Sequence, residues 1–370
     1  MRTRIERTEF EQGRRVLALS DIHGHLKTLN LALDKARYCP DDILVVVGDM
    51  IEKGAQSLGV VRKIMALSQK GTVYALTGNV DMWMTRFLLS GDPETQHELV
   101  KNALNAKKWW GGTTLEEMCA ELNLPFDEKM NIAQTLFQVR RRYSDELSFL
   151  NGLPTILDTP AYRFVHGGLP HENLALLDGT DNHPLVRFDH FFNDAPAFQK
   201  YIVVGHWPVA LYREKYPDEN PLIDEKRRII CLDGGCGVKC DGQLNVLTLP
   251  ENAKGPFPFV SADTLPVITA LDDQTPGPDD PVYIKWTDHA ITVLEQTTET
   301  ARIRFHDRVL TVPAALLMKK DGDTICDDVT TYRLPVQKGD HLHLVFSTKD
   351  ALYVKKDGVS GWYAGGWERT

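Results

Sequence analysis

The stretch LALSDIHGH (residues 17–25) decides the reading of this chain, together with two that repeat its pattern, VVVGDMIEKG (45–54) and YALTGNVD (74–81). Each is an apolar run of strand type that ends in a carboxylate, imidazole or amide beside glycine, which is how an α/β protein delivers polar groups to one edge of its sheet. Asp21 and His23 stand two apart, so on an extended segment both project to one side, and Gly24 lets the backbone turn at once. Asp49 and Asn79 arrive from two further strands. Hard oxygen donors mixed with imidazole suit manganese, iron or zinc better than thiolate would, so the first expectation is a metal centre at this edge.

The pattern returns later: YRFVHGG (162–168) ends on His166 and YIVVGHW (201–207) on His206, while RIICLDGG (228–235) and QLNVLTL (243–249) continue the strands without an evident ligand. Five apolar strands ending in metal-type residues form a joint pattern that the scattering of 12 histidines would not produce. The spacing of Leu26, Leu29 and Leu33 predicts a helix, and so does the sequence around Val60 to Leu67. The opening is therefore βαβαβ, with parallel strands and right-handed crossovers. Residues 82–150 turn helical and read as an insertion over the sheet edge, a natural place for substrate selection. His183 and His190 close no apolar strand and are not read as ligands. His25 is either a helix N-terminal residue outside the cluster or a substitute acid.

Composition bounds the partners. The 370 residues are 42% hydrophobic, enough for two domains with sizeable cores. The net charge of −9 and pI near 5.8 give no general attraction for nucleic acid or an anionic membrane, and neither is expected as a partner. MRTRIERTEFEQGRR at the start has no apolar core of signal-peptide length, and no run approaches the ~18 apolar residues of a membrane span. The expected location is cytoplasmic. Six cysteines are too few for a disulfide framework, and Cys231, Cys236 and Cys240 lack the two-residue spacing of zinc knuckles, which favours a strand followed by a glycine-rich turn.

As an ordered set, D-x-H-G at Asp21, GD at Asp49 with a glycine five residues on, GN at Asn79, HGG at His166 and GH at His206 resemble the calcineurin-like metallophosphoesterases over about residues 15–250. HGGL at 166–169, with no second histidine after His206, is more similar to the phosphoprotein phosphatase and diadenosine-tetraphosphatase branch than to the phosphodiesterases. The resemblance implies a four-layer α-β-β-α sandwich in a catalytic domain of residues 1–250, with the helical insertion inside it. It implies two divalent or trivalent ions (manganese, iron, zinc or nickel), with Asp21, His23 and Asp49 at the first, and Asp49, Asn79, His166 and His206 at the second. Ions ~3.5–4 Å apart lower the pKa of a bridging water, so that hydroxide attacks phosphorus. The substrate class implied is a phosphorylated small molecule, a nucleotide or a phosphoprotein.

The chain departs from that family where a proton donor is expected. The usual GNH is here Gly78-Asn79-Val80, and valine donates nothing. The usual aspartate and arginine of GD-x-x-D-R-G are Glu52 and Lys53, and an ammonium holds phosphate as a point charge without a bidentate grip. Asp49, Asn79, Lys53 and Arg187 are the candidate catalytic residues, Arg187 as a phosphate clamp or equally as a surface arginine. Loss of general acid catalysis, worth ~10²–10⁴-fold, favours phosphoanhydrides or aryl phosphates over phosphoserine. The alternative is a weak or inactive phosphatase fold used for binding or regulation.

Seven of the 20 prolines fall between Pro250 and Pro281, which predicts a linker over 251–281. Beyond it, ARIRFHDRVLTVPA (301–314) aligns without gaps on ALYVKKDGVSGWYA (351–364), predicting a β-domain over 282–370 made of two copies at a 50-residue offset. KGDHLHLVF with LYVKKDGVSGWY is similar to bacterial Src-homology-3-like barrels, which implies peptide binding or self-association. Trp362, Tyr363 and Trp367 are either an aromatic binding surface or core.

Overall fold

The run Val16–Leu19 is buried on both faces, and its alternation sorts the layers. Val16 and Ala18 face a second sheet, sharing a core with Ile43, Val45, Phe164, Tyr201, Val203 and Ile230. Leu17 and Leu19 face helices, packed with Leu29, Leu33, Leu58 and Ile64. A parallel strand covered on both sides reads as an unbroken apolar run, which is why these segments lack polar alternation.

The computed structural model describes residues 1–320 and 322–370 and divides into two compact units, Met1–Pro208 with Pro221–Asp263, and Val209–Asn220 with Thr264–Thr370. In the first unit, one sheet has the order Phe259–Ala262, Leu244–Leu249, Val16–Leu19, Ile43–Val46, Thr72–Ala75, the last three parallel. The other runs Ile5–Arg7, Ile156–Asp158, Tyr162–Val165, Tyr201–Val204, Ile229–Cys231, Leu222–Asp224, with the 162, 201 and 229 strands parallel. Helices Leu26–Lys35 and Ser57–Ser68 cover the first sheet, and the short helices His183–Val186 and Phe191–Asp194 follow the 162 strand. This is the metallophosphoesterase α/β fold. Helices Pro93–Ala106, Thr114–Glu121, Ile132–Arg142 and Ser144–Gly152 occupy the stretch read as a helical insertion. Ile5–Arg7, too short and polar to signal itself, adds a strand to the second sheet beside Ile156–Asp158.

The stretch 251–281 is not a bare linker. Phe259–Ala262 pairs with Leu244–Leu249, and Val267–Ala270 pairs with His341–Ser347. Its prolines sit between these strands, where missing N–H groups break no ladder.

The second unit has no α-helix among its described residues, only strands and two short 3-10 turns, and it holds a repeated three-strand unit. Thr292–Gln296, Thr300–Phe305 and Arg308–Pro313 form one meander, and His341–Ser347, Leu352–Lys356 and Val359–Tyr363 the other. Each has a register shift in its first strand, between Val293 and Glu295 and between Leu344 and Phe346. Each has the same tight loop, in which Thr297 N–H donates to Thr300 O at 2.8 Å and Thr348 N–H to Ala351 O at 2.9 Å. All these equivalences stand 51 residues apart, one more than the sequence alignment gave. The alignment had matched Asp307 with Asp357, whereas the left-handed turn residues are His306 and Asp357, both at φ 50°. Leu310 and Thr311, not Thr311 and Val312, therefore stand at Gly361 and Trp362.

The three aromatics do not form one surface. Tyr363 is buried and donates to Gly366 O, Trp362 donates to Thr330 O, and Trp367 is exposed. Adjacent strand residues point to opposite faces, which separates 362 from 363. All six cysteines are free thiols. Among the described residues, no helix is long and apolar enough to cross a membrane.

Candidate metal centre

Each residue of the centre lies just past the carboxyl end of a parallel strand: Asp21 after Val16–Leu19, Asp49 after Ile43–Val46, Asn79 after Thr72–Ala75, His166 after Tyr162–Val165 and His206 after Tyr201–Val204. Asp21 and His23 do not project together by strand alternation, because the strand has ended. Both are in the left-handed region, at φ 57° and 48°, and so are Asp49, Glu52, Lys53 and His206, at φ 52° to 69°. Such conformations cost non-glycine residues of order 1 kcal/mol each and gather where the surrounding structure imposes them. Here the loops brace one another: Asp21 N–H donates to Gly48 O, and Ile22 and His23 N–H both donate to Asp49 O. Glycine is required at two of the approaches, since a Cβ at Gly78 would stand 2.0 Å from Asp49 Oδ1 and one at Gly205 2.1 Å from Asp21 Oδ2.

All six side chains read as ligands converge. Asp21, His23 and Asp49 offer donor atoms within 4.8 Å of one another. His166 Nε2 lies 3.3 Å from Asp49 Oδ1 and 3.1 Å from Asn79 Oδ1. His206 Nδ1 lies 2.9 Å from the same amide oxygen, and its backbone N–H donates to Asp21 Oδ2 at 3.0 Å. The ring of His166 is oriented by Val47 O at 2.8 Å from Nδ1, and that of His23 by Ile51 O at 3.2 Å, which leaves both Nε2 atoms facing the cluster.

The electrostatics are those of a site short of positive charge. Burial, with the Asp49 charge adding, pushes Asp21 up to about 6. Burial alone would raise Asp49 and lower His166, but their mutual attraction wins: Asp49 is held well below the carboxylate range, and His166 is pushed up to about 10. Burial lowers His23 and takes His206 down to about 4, leaving both rings neutral and able to donate a lone pair. Lys53 already brings its ammonium to 3.1 Å from His23 Nε2. Buried carboxylates, neutral imidazoles and an amide, free of thiolate, suit divalent cations.

Two residues passed over in the sequence belong here. Asp233 follows Ile229–Cys231 as the other site residues follow their strands, a signal that was present in RIICLDGG. It is buried, accepts from Gly235 N–H at 2.8 Å, and burial together with the Asp21 charge raises its pKa well above the usual range. Asp189 accepts from His206 Nε2 at 2.8 Å, and only the tertiary placement of an irregular segment brings it there. Arg187 is mostly exposed, 3.8 Å from Asp189, and lines a cavity with Asn79 and Lys53. His25 turns away, its Nδ1 2.7 Å from His23 O. His183 and the cysteines are also outside the group.

Val80 contributes its backbone N–H to Asp49 Oδ1 at 3.1 Å. Glu52 accepts from Thr114 N–H at 2.9 Å, tying the helical insertion to the Asp49 loop. Asp81 is a structural brace: its buried carboxylate takes the N–H groups of Gly78, Met50 and Ile51. Asp81→Ala leaves these donors unpaired and lowers stability by about 3 kcal/mol or more, read by urea denaturation. A loss within error of zero would mean that water replaces the carboxylate.

A family model for calcineurin-like phosphoesterases matches residues 14–238. Over 75 residues the chain is 37% identical to serine/threonine-protein phosphatase 1 of Salmonella typhimurium, a match covering 20% of this chain and 33% of that protein, so the chain spans about a third of that relative. Among solved structures, a protein provisionally described as a diadenosine tetraphosphatase is 19% identical, with 70% of this chain and 98% of that one covered and a TM-score of 0.43. A protein serine/threonine phosphatase from Saccharomyces cerevisiae is 11% identical, with 71% and 84% covered and the same TM-score. With the model spanning well over half of its length, this chain belongs to the calcineurin-like phosphoesterase family, whose members depend on a pair of metal ions.

Proposed function

We propose that the chain is a two-metal phosphoesterase that hydrolyses a phosphate monoester or phosphoanhydride. Asp21, His23 and Asp49 hold one ion, and Asp49, Asn79, His166 and His206 hold the other. The convergence of these six side chains carries the reading. When bound, the ions activate a water and neutralise charge on the phosphoryl group. Asp49, which would serve both ions, keeps its carboxylate ionised; His23 and His206 stay neutral and present lone pairs. Lys53 stands beside the His23 ring and supplies a positive charge to a phosphoryl oxygen. No side chain at position 80 delivers a proton to the leaving group.

Asp189 positions the His206 ring through Nε2, so that Nδ1 faces Asn79. Asp189→Asn weakens manganese binding by about 10–100-fold, with kcat restored at saturating metal. Unchanged affinity in a manganese titration would make the contact incidental.

The proposal is tested by metal analysis together with p-nitrophenyl phosphate hydrolysis by the full chain in added manganese. Two ions per chain and turnover lost in chelator are expected. Metal-loaded protein inactive on monoesters and nucleotides would instead favour a binding or regulatory scaffold, a reading that the tie of Glu52 to Thr114 makes structurally coherent. We also propose that the C-terminal unit is a pair of Src-homology-3-like modules for peptide binding or self-association, supported by its 51-residue repeat, and that the protein works in the cytoplasm on a phosphorylated small molecule, nucleotide or phosphoprotein.

A further inference from the structure

Beside Asn79 and Lys53 lies a cavity of about 240 Å³ whose other walls include Val80, Met82, Trp83, Trp110 and Arg187. Five of its wall residues, Val80, Met82, Trp83, Ala106 and Trp110, are apolar, two of them indoles, and the others are the polar or charged Glu52, Lys53, Asn79, His183 and Arg187. Resting on the hydrolase reading above, we infer that this chain takes aryl phosphate monoesters, with the aromatic ring of the leaving group lodged among Val80, Met82, Trp83 and Trp110.

Three observations lead there. The first is chemical. Val80 has no proton to give, so a leaving oxygen that departs readily as an anion is favoured. A phenolate, with a conjugate acid pKa of ~10, does this readily. An alkoxide, whose conjugate acid is about as weak as water at ~16, does not.

The second observation is size and lining. An apolar cavity of ~150 Å³ admits benzene, so the present one takes a single substituted ring. The polar part of the lining, Lys53, Asn79, His183 and Arg187, meets the phosphoryl end of a substrate, and Glu52 adds an acidic group unsuited to the further phosphates of a nucleotide leaving group. Ring faces and edges of two indoles, by contrast, suit a planar aromatic.

The third is the placement of charge. The Lys53 ammonium lies 3.1 Å from His23 Nε2 and 5.5 Å from the centre of the Trp110 ring. The cation therefore sits where the phosphoryl end of a substrate meets its aromatic end. In the reaction, the oxygen of water bonds to phosphorus and the ester oxygen leaves with the electron pair of the broken phosphorus–oxygen bond. One proton of the water stays on the phosphate; the other passes to solvent, from which the phenolate is protonated after release.

The test is a leaving-group series on the manganese-loaded full chain: p-nitrophenyl phosphate, phenyl phosphate, ethyl phosphate, O-phosphoserine and ATP. The expected kcat/KM falls steeply as the leaving group becomes more basic, with phenyl phosphate ahead of ethyl phosphate by about 10²-fold or more and ahead of ATP. Trp110→Ala, at a partly exposed ring, lowers kcat/KM for the aryl esters by about tenfold through lost apolar contact, a clearly larger loss than for ethyl phosphate. Trp83→Phe, which keeps a ring in the half-buried position, gives a smaller loss of the same selectivity. Val80→His flattens the series by accelerating the alkyl esters. Turnover with aryl and alkyl esters about equal, ATP preferred, or Trp110→Ala acting alike on both ester classes overturns the inference while the hydrolase stands. No turnover of any compound overturns the hydrolase reading, and this inference with it.

Discussion

Asp49→Asn lowers kcat/KM for p-nitrophenyl phosphate by on the order of 10³-fold and reduces bound manganese from two ions to one or none. The amide keeps the size of the carboxylate and an oxygen to accept the Val80 N–H, so the loop has no steric reason to move. What disappears is one negative charge that the proposed assignment gives to both ion sites, at a buried side chain 3.3 Å from His166 and 3.7 Å from His23. A unit charge pair at ~4 Å is worth roughly 4 kcal/mol at an effective dielectric constant of 20, about three decades in rate or affinity. Steady-state kinetics and metal analysis of the same preparation check both halves. A variant that keeps two ions and full turnover would show that Asp49 does not bridge.

Metal removal lowers the melting temperature of the phosphoesterase unit, and the deficit grows as pH rises. Above about pH 6.5, His23 and His206 are neutral whether folded or not, since their folded pKa values lie below the ordinary imidazole value. His166, pushed up to about 10, then keeps a proton that the unfolded chain releases, and Asp81, pushed up to about 7 by burial and Asp49, does the same at the lower end. The folded, metal-free state thus binds more protons than the unfolded one between pH 6.5 and 10, so its stability falls as pH rises through that window. Bound cations take over the role of the proton and remove this dependence. At a metal concentration 100 times Kd the gain is about 2.7 kcal/mol, or roughly 5–10 °C for a unit of this size. Thermal melts of chelator-treated and manganese-loaded protein at pH 6.5, 7.5 and 8.5 decide it. A metal-induced shift that is absent, or equal at all three values, would contradict the electrostatic pattern of the site.

The same charge pattern separates what the primary structure made legible from what it hid. Asp21, Asp49, Asn79, His166 and His206 were readable because a buried parallel strand is an unbroken apolar run, and a polar side chain at its end beside glycine breaks that run conspicuously. Asp233 obeys the same rule, standing past the strand Ile229–Cys231 beside glycine. Asp189 obeyed no rule. It lies on an irregular segment, and its meeting with His206 depends on how that segment folds back, 17 residues away in sequence. The repeat is legible one residue out of step, because identical residue types align at 50 residues while the left-handed turn residues, His306 and Asp357, stand 51 apart.

The sequence by itself determined the layered α/β unit, the six converging side chains and a residue at position 80 with no proton to give, since each depends on residue type and on strand ends that local chemistry marks. Only the tertiary structure decided that Asp21 and His23 meet through left-handed backbone beyond the strand end, that Glu52 turns to Thr114, that 251–281 contains strands of both units, and that indoles from distant segments wall a cavity beside the metal centre. These depend on contacts between segments far apart in the chain, and such contacts leave no mark in the spacing of neighbouring residues.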